Sequence, residues 1–513
     1  MSSTFSILKK YASFIGPGIM VSVAYMDPGN YSTAVSSGAM YEYKLLFVVF
    51  MSNIFAVILQ SLCVKLGTVT GLDLAEMCRL HLPKWLNLAL YVGSELAIVA
   101  TDLAEVVGTA ISLEILFGIP LFYGVLVTVF DVLIVLVAYN RDGNMKQTRL
   151  FEIMVTILVA STCFCFVYEL FKCDFTPGSF QKIVNGFLPV NRAIFIEPTA
   201  LFLSCGIVGS TVMPHSLFLG SALVQSRLKE YDIKNGHLVE DPLTDVLQEE
   251  QTRQEAEILS SESPMVEGSH NDKRYSITDS SALLRKYRPS YQAISYCLNY
   301  SYTELVLSLF IIAVFVNSAI LIVAGSTLYR KPDAEEADLL SIYEMLSYYI
   351  SPAAGIIFAL SMLFSGQSAG IVCTMAGQIV SEGFINWSFQ PWIRRIITRA
   401  IAIVPVLIVI SILGREGVSK IMNSSQVVLS FILPLVSAPL IWFTCSKKYM
   451  TVPARAGEVD ENTSLLEGNT HTIESNVSYE NGIFLTVSSI LTWLIISCLN
   501  FYLIIAFLNG ADI

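Results

Sequence analysis

An apolar run long enough to cross a lipid bilayer is interrupted at its centre by an acidic residue, a proline and a glycine. The run extends from about residue 14 to residue 40, and the interruption reads Asp27-Pro28-Gly29-Asn30. A spanning helix needs about 20 apolar residues, and a proline inside it leaves carbonyl groups without their helical partners. A carboxylate at this depth costs about 3 kcal/mol on insertion scales and is usually kept for function. We therefore predict a broken membrane helix whose open carbonyls and single acid form a cation site.

A second membrane-length run has the same kind of interruption. It covers residues 199–225 and contains Gly209, Met213, Pro214 and His215. Interrupted spans at corresponding positions of two halves indicate a transport site between inverted repeats. The first break falls in predicted span 1 and the second in predicted span 6, which is the pattern of such a transporter.

The composition is that of a membrane protein with many spans. Of 513 residues, 54% are hydrophobic and 14% are charged. This composition excludes a soluble enzyme and predicts the lipid bilayer as a partner, while the net charge of −11 argues against nucleic acid. The ten cysteines show no metal-ligand spacing, so we predict no resident cofactor.

Eleven predicted spans account for the apolar segments. They lie near residues 12–38, 45–66, 86–116, 120–139, 150–171, 197–225, 300–327, 351–378, 392–414, 417–443 and 483–508. Before span 8, Leu339–Tyr349 is predicted to form an interfacial helix. The residues of its predicted apolar face are Leu340, Tyr343, Leu346 and Tyr349.

Lysine and arginine are more frequent in the loops that share a side with the N-terminus. The positive-inside rule therefore places the N-terminus in the cytosol and the C-terminus outside or in a lumen. The predicted segments are a cytosolic N-terminus (1–11), spans 1–5 (12–171), an outer or lumenal loop (172–196), span 6 (197–225), an acidic cytosolic loop (226–290), spans 7–10 (300–443), a second cytosolic loop (444–482) and span 11 with the C-terminus (483–513).

Both long cytosolic loops suggest regulation or sorting. The acidic, serine-rich loop at 226–290 is predicted to be disordered. The second loop contains Glu461-Asn462-Thr463-Ser464-Leu465-Leu466, whose spacing fits an acidic dileucine signal for a sorting adaptor. Such short motifs also occur by chance, so two alternatives stay open: a signal that binds a sorting adaptor, and a chance match.

Three side chains at the two breaks suit a divalent transition metal. Asp27 offers a charged oxygen, Asn30 an amide oxygen and Met213 a thioether sulfur, and the unwound turns add carbonyls such as that of Ser210. Ca²⁺ and Mg²⁺ prefer shells of oxygen only, whereas sulfur favours softer metals. The mixed set predicts Mn²⁺ or Fe²⁺. Ordinary packing is the alternative for Met213, and its place in a broken span disfavours it.

Span 3 carries three acids within about 80° of one helical face. They are Glu95, Asp102 and Glu105. Acids inside a span line water, pair with cations or carry protons. Three arginines at the start of span 9 could supply the cations or could anchor the span at the membrane surface. They are Arg394, Arg395 and Arg399. Of these interpretations, a proton path along span 3 is the more specific one.

Two further polar residues lie inside predicted spans. His215 could receive or relay a proton beside the metal, because an imidazole titrates near neutral pH in water. Its alternative is a hydrogen bond between helices. Gln426 of span 10 could add an oxygen ligand or form an interhelical bond.

These motifs together resemble the Nramp family of proton-coupled divalent-metal transporters. The segments that carry the resemblance are Asp27–Asn30, Met213–His215, Thr101–Glu105, Gly366–Phe384, Trp392–Arg395 and Ser425–Ser430. The resemblance implies a LeuT-like all-α fold in which spans 1–5 and 6–10 are inverted repeats and span 11 is appended. It implies metal ligands at Asp27, Asn30, the Ser210 carbonyl, Met213 and, in some states, Gln426. Its proton route would use Asp27, Asp102, Glu95 and Glu105 towards Arg394 and Arg395, with His215 modulating.

Some positions depart from the family pattern. Ser210 replaces the usual alanine and adds a hydroxyl, and Gly220 replaces a second histidine of span 6. The span count and loops resemble the fungal vacuolar or endosomal branch, which implies return of metal from an acidic store to the cytosol. Two rival functions are a sodium-coupled organic-solute carrier of the same fold and a transporter-like metal sensor. Asp27 and Met213 disfavour the carrier, and the short acidic loop disfavours the sensor.

Overall fold

The structure is a computed structural model of an almost entirely helical chain. It describes residues 16–128, 145–173, 175, 177–189, 197–236, 287–329, 339–386, 391–414, 416–454 and 475–509. In these ranges the predicted all-α membrane fold is confirmed, with one small addition. Strands Thr451–Ala454 and Ser475–Ser478 pair antiparallel, with Thr451 opposite Ser478.

The helices follow the predicted spans closely. In chain order they are half-helices 1a (Pro17–Val23) and 1b (Pro28–Tyr41), span 2 (Leu46–Thr70), a short helix Leu74–His81, span 3 (Lys84–Phe117), span 5 (Met145–Lys172), a short helix Ser179–Gly186, half-helices 6a (Pro198–Thr211) and 6b (Pro214–Leu223), a helix Gln225–Lys234, span 7 (Tyr291–Ser308 and Val314–Thr327, joined by the π-helical turn Leu309–Ala313), a helix Leu339–Tyr349, span 8 (Pro352–Ile385), span 9 (Pro391–Leu413), span 10 (Glu416–Cys445) and span 11 (Ile483–Leu508).

Nine helices in the described ranges are long and apolar enough to cross a membrane. They are spans 2, 3 and 5–11. Span 1 is divided into two half-helices that are each shorter than a bilayer crossing. Of predicted span 4, the structure describes a helical segment at 121–128, and the rest lies outside the described residues.

Both predicted breaks are present, and local chemistry explains them. Half-helix 1a ends in tight turns, in which the Tyr25 and Met26 amides donate to carbonyls three residues earlier. Asp27 then caps half-helix 1b, and Pro28 occupies its first position. In span 6, Met213 is the residue before half-helix 6b, and Pro214 begins it. A proline in the first helical turn costs no hydrogen bond, because that N–H group has no helical partner.

The two repeats make corresponding helix contacts, in which spans 1–5 of one repeat take the places of spans 6–10 of the other. Half-helix 1b packs on span 7 as 6b packs on span 2, span 5 packs on span 8 as span 10 packs on span 3, and 1a contacts span 5 as 6a contacts span 10. Small residues permit the matching close approaches. A Cβ atom at Gly38 of 1b would meet the Leu321 carbonyl, and one at Gly67 of span 2 would meet the Ser221 carbonyl. This pairing is that of the predicted inverted repeats.

Two segments differ in detail from the sequence prediction. The helix Leu339–Tyr349 is present as predicted, but the residues it buries are Leu339, Ile342 and Leu346, whereas Tyr349 is 43% exposed. Its buried face is therefore rotated from the predicted one, because the helix packs on span 8 and not only on a membrane surface.

The helix after 6b extends to Lys234, inside the segment predicted as an acidic loop from residue 226. Asp232 explains the extension, because its carboxylate accepts hydrogen bonds from the Tyr287 hydroxyl and from the amide and hydroxyl of Ser290, which caps span 7. Burial and this hydrogen bond raise the pKa of Tyr287. Residues 237–286, and the dileucine motif at 461–466, lie outside the described residues.

A buried amide of span 11 binds the backbone and side chain of span 10. The Asn500 side chain donates to the Ser430 carbonyl (2.6 Å) and accepts from the Ser430 hydroxyl (2.7 Å) of span 10. Hydrogen bonds between membrane helices contribute about 0.6 to 2 kcal/mol. Asn500 therefore helps to position span 11, together with the Trp493 indole nitrogen, which donates to the Pro434 carbonyl of span 10 (2.9 Å).

We expect Asn500→Ala to lower the melting temperature of the purified protein in detergent by a few degrees, because the carbonyl and the hydroxyl of Ser430 each lose a hydrogen bond to the Asn500 amide. Ser497→Ala is the matched control, since the Ser497 hydroxyl bonds within its own helix, to the Trp493 carbonyl. Equal melting temperatures for the Asn500 variant and the parent would contradict this role.

Candidate metal site

The centre of the site is an amide that joins the two broken spans. The Asn30 side-chain nitrogen donates to Asp27 Oδ1 (2.8 Å) and to the Ser210 carbonyl (3.0 Å), and the Asn30 backbone amide also donates to Asp27 Oδ1 (3.0 Å). Asp27 is fully buried, and its Oδ2 has no hydrogen-bond partner among the described residues. A buried carboxylate oxygen without a donor is costly, and a bound cation would satisfy it.

The Ser210 hydroxyl is turned away from this centre. It donates to the Ile207 carbonyl and lies 3.2 Å from the Thr33 hydroxyl of half-helix 1b. The carbonyl of Ser210 is therefore the group that faces Asn30, while the hydroxyl links 1b to 6a. The possible extra ligand oxygen at this departure from the family pattern is absent from this arrangement.

Met213 and Gln426 lie at the same breaks. The Met213 side chain is fully buried, and its carbonyl accepts from the Ser216 amide and hydroxyl. The Gln426 side chain packs on Gly29, where any Cβ atom would collide with it, and its backbone carbonyl lies against Gly209. Gln426 Oε1 is buried and has no partner among the described residues. Glycine at both breaks thus brings a second unpartnered side-chain oxygen to the centre.

A hydrogen-bonded cluster lies on the 1a side of the break. The Gln60 amide nitrogen donates to the Tyr25 hydroxyl (3.1 Å) and to the carbonyl and hydroxyl of Ser216 (both 3.0 Å). A Cβ atom at Gly220 would collide with Gln60 Oε1. The side-chain amide of Gln60 therefore fills the space that a histidine at position 220 would need. His215, in the first turn of 6b, is 1% exposed.

The acids of span 3 are paired with an arginine that the sequence offered as one of three. Arg399 Nη1 lies 3.4 Å from both Asp102 Oδ1 and Glu105 Oε2, and all three side chains are buried. Cys373 lies near both acids, and the three ligand atoms are close enough to hold a metal. The guanidinium already supplies the positive charge there, so this cluster is an ion triad. Glu95, two turns earlier, is partly exposed.

Arg394 and Arg395 lie in the described helix of span 9, but their side chains are outside the described part of the structure. Their predicted role in proton movement stays a prediction.

The metal site and the ion triad are adjacent through a tight contact. Pro28 packs on Gly108 of span 3, where a Cβ atom would collide with the proline ring. Gly108 is one helical turn beyond Glu105, and Gly370 of span 8 packs against Glu105 itself. The break of span 1 and the acids of span 3 therefore belong to one packed unit.

A second acidic cluster, which was not predicted from the sequence, lies at the start of half-helix 1a. Glu304 of span 7 accepts hydrogen bonds from the Gly16 amide (3.1 Å) and the Gly18 amide (2.8 Å). Arg227 forms a two-pronged pair with Glu152 of span 5, at 3.0 and 2.9 Å. The signal was available, since Glu304 is an acid inside an apolar run and the glycines flank Pro17.

Residues 18–456 match the family model described as Nramp, natural resistance-associated macrophage protein-like. The chain belongs to the Nramp family. It is similar to the iron transporter SMF3 of Saccharomyces cerevisiae, with 53% identity over 523 residues and 100% of both chains covered. It is also similar to the manganese transporter SMF2 of the same yeast, with 50% identity over 538 residues, 100% of this chain and 91% of the relative.

The fold of this Nramp protein matches a solved structure. The crystal structure of the Eremococcus coleocola manganese transporter superposes with a TM-score of 0.72 at 28% identity and covers 99% of this chain and 90% of that one. The family membership confirms the resemblance found in the motifs, the LeuT-like fold expected from it and the prediction that the chain is not an enzyme.

We expect Arg399→Gln to destabilise the protein strongly, because it removes the described cation between two buried carboxylates. Breaking a buried pair costs about 3 to 5 kcal/mol. Adding Asp102→Asn and Glu105→Gln should restore most of the lost melting temperature, since no charge then remains in the triad. A triple variant that melts as low as Arg399→Gln would show that the acids are compensated elsewhere.

Proposed function

We propose that this Nramp protein carries Mn²⁺ or Fe²⁺ together with protons into the cytosol from an acidic lumen. The observation that supports cation binding most directly is the unpartnered Asp27 Oδ2, which is buried at the junction of both broken spans. The two breaks also hold Asn30, the Ser210 carbonyl and Met213. Gln426 of span 10 packs on Gly29 at the first break. The relatives SMF3 and SMF2 are described as an iron and a manganese transporter.

The donor set favours a transition metal over Ca²⁺ or Mg²⁺. It combines carboxylate, amide and carbonyl oxygens with the Met213 thioether, and sulfur ligands favour the softer ions. In the present arrangement the Asn30 amide nitrogen lies between Asp27 and the Ser210 carbonyl. A metal bound there would take the place of the Asn30 side-chain nitrogen. Rotation of the side-chain amide would then turn the Asn30 oxygen towards the metal. The metal is cargo in this proposal, and no resident cofactor is required.

Proton movement along span 3 is the second part of the proposal. Asp102 and Glu105 share one arginine, so the triad holds two negative charges against one positive charge. A proton added to either acid would balance that charge, which makes the triad suited to carry one. We assign the route to Asp27, Asp102, Glu105 and Glu95, with His215 modulating. Arg394 and Arg395 at the start of span 9 would complete it.

The same geometry supports a gate on the 1a side. Gln60, Tyr25 and Ser216 bond across spans 1, 2 and 6, and Glu304 holds the first amides of 1a. Release of metal on this side requires 1a to separate from span 7 and from 6b. In the proposed orientation the N-terminus is cytosolic, so this gate opens to the cytosol, and one repeat rocks against the other.

An acidic lumen provides the driving force. A gradient of one pH unit contributes about 1.4 kcal/mol per proton, and a membrane potential adds about 2.3 kcal/mol per charge per 100 mV. We propose a vacuolar or endosomal membrane, with the plasma membrane as the alternative. The motif at Glu461–Leu466 would bind the sorting adaptor.

We expect purified protein in proteoliposomes to take up Mn²⁺ under an acid-outside gradient and to acidify the interior. Asp27→Ala should reduce uptake to the level of empty liposomes, because the only charged ligand is lost. Met213→Ala should keep uptake but lose much of its discrimination against competing Ca²⁺.

Met77→Ala is the matched control, since Met77 is 2% exposed and lies in the short helix after span 2. Uptake by Asp27→Ala at the rate of the parent would refute the metal site. Uptake without internal acidification would leave a metal transporter and remove the proton coupling.

A further inference from the structure

An acid of span 5 that the transport site does not use is buried without a hydrogen-bond partner among the described residues. Glu169 lies three residues before the end of the helix at Lys172 and is 0% exposed. Neither carboxylate oxygen has a hydrogen-bond partner among the described residues. An isolated carboxylate in the interior of a membrane protein is very costly, and such groups mark functional positions. With the burial seen in this structure, the neutral acid is the form that the surroundings tolerate.

The surroundings of Glu169 are aromatic and weakly polar. The Tyr31 side chain of half-helix 1b is close enough to interact electrostatically with it, and Cys165 lies one turn earlier on its own helix. The Tyr31 ring packs between Phe166 of span 5 (5.4 Å between centroids) and Phe358 of span 8 (6.0 Å). On the described elements around span 5, no basic side chain compensates Glu169. The rings lie one turn earlier along span 5 and beside the first turn of 1b.

Weakly polar side chains lie near both Glu169 and the break of span 1, although neither Glu169 nor the Tyr31 hydroxyl forms a hydrogen bond with a described residue. The Tyr31 hydroxyl faces Ser361 and Ser365 of span 8. The Ser365 hydroxyl in turn donates to the Met26 carbonyl, next to Asp27. Tyr31 also follows Asn30 directly in the chain. Movement of 1b would therefore change the site and the burial of Glu169 together.

We propose that Glu169 binds a proton when the 1b side of the transporter closes and releases it when that side opens. Opening separates Tyr31 from Phe166 and gives Glu169 access to water, where the carboxylate is stable. Closing removes the water, and the described residues supply no cation, so it requires the neutral acid. This assignment deepens the proposed proton coupling on which it rests, because it places one proton step on the outer side.

The test measures hydrogen–deuterium exchange of the metal-free full-length protein in lipid nanodiscs, read on peptides from 1b (Pro28–Tyr41). Rates are corrected for the intrinsic effect of pH. In the parent we expect 1b to exchange at least threefold faster at pH 7.5 than at pH 5.5, because deprotonation of Glu169 favours the open side. In Glu169→Gln the exchange should stay slow at both pH values.

Glu169→Leu is the second variant and should behave like Glu169→Gln, so a folding defect in one of them leaves the test intact. Glu480→Gln is the control, because Glu480 is an exposed acid just before span 11. It should behave like the parent. An unchanged pH dependence in both Glu169 variants, or none in the parent, would overturn the proposal.

The measurement is independent of the proposed cargo, since no metal is present. If 1b responds to pH through Glu169 but proteoliposomes carry no Mn²⁺, the gate stands and the transport function fails. If Mn²⁺ uptake is intact and the pH dependence of exchange in 1b is the same in the parent and the Glu169 variants, the transport function stands and this inference fails.

Discussion

The fold depends on one buried amide that holds two broken helices at one point. Asn30 contacts the Asp27 carboxylate on its own half-helix and the Ser210 carbonyl on the other broken span. Breaking a helix inside a membrane exposes backbone groups that lipid cannot satisfy. Here the Asp27 cap, the Asn30 amide and the Ser365 hydroxyl satisfy several of them. Among the described residues, the buried oxygens left without a partner there include a carboxylate oxygen of Asp27 and the amide oxygen of Gln426, which is the chemistry of a cation site.

Glycine brings the surrounding helices close enough to make that site small. Gly29 accepts the Gln426 side chain, Gly209 accepts the backbone of span 10, and Gly108 accepts Pro28. Each contact would collide with a Cβ atom. The same tight packing joins the metal site to the triad of Asp102, Glu105 and Arg399, through the contact of Pro28 with Gly108.

The helix breaks could be predicted from local chemistry, but the contacts between side chains on different helices could not. An Asp-Pro-Gly-Asn sequence inside an apolar run has few structural outcomes, and both breaks fall where the sequence placed them. The identity of the arginine beside span 3 depends on how span 9 packs, and three arginines within six residues gave no basis for choosing Arg399. The contact between Glu304 and the 1a amides joins residues 286 positions apart. The rotated face of Leu339–Tyr349 has the same cause, because tertiary packing on span 8 decided which residues it buries.

X-ray absorption at the manganese edge of the full-length protein with bound Mn²⁺ tests the central claim most directly. The account predicts a shell of oxygen ligands with one sulfur neighbour, and the loss of that sulfur alone in Met213→Leu. An oxygen-only shell in the parent would contradict the site at the two breaks. A sulfur signal that persists in the variant would do the same and would direct attention to Cys373, beside Asp102 and Glu105.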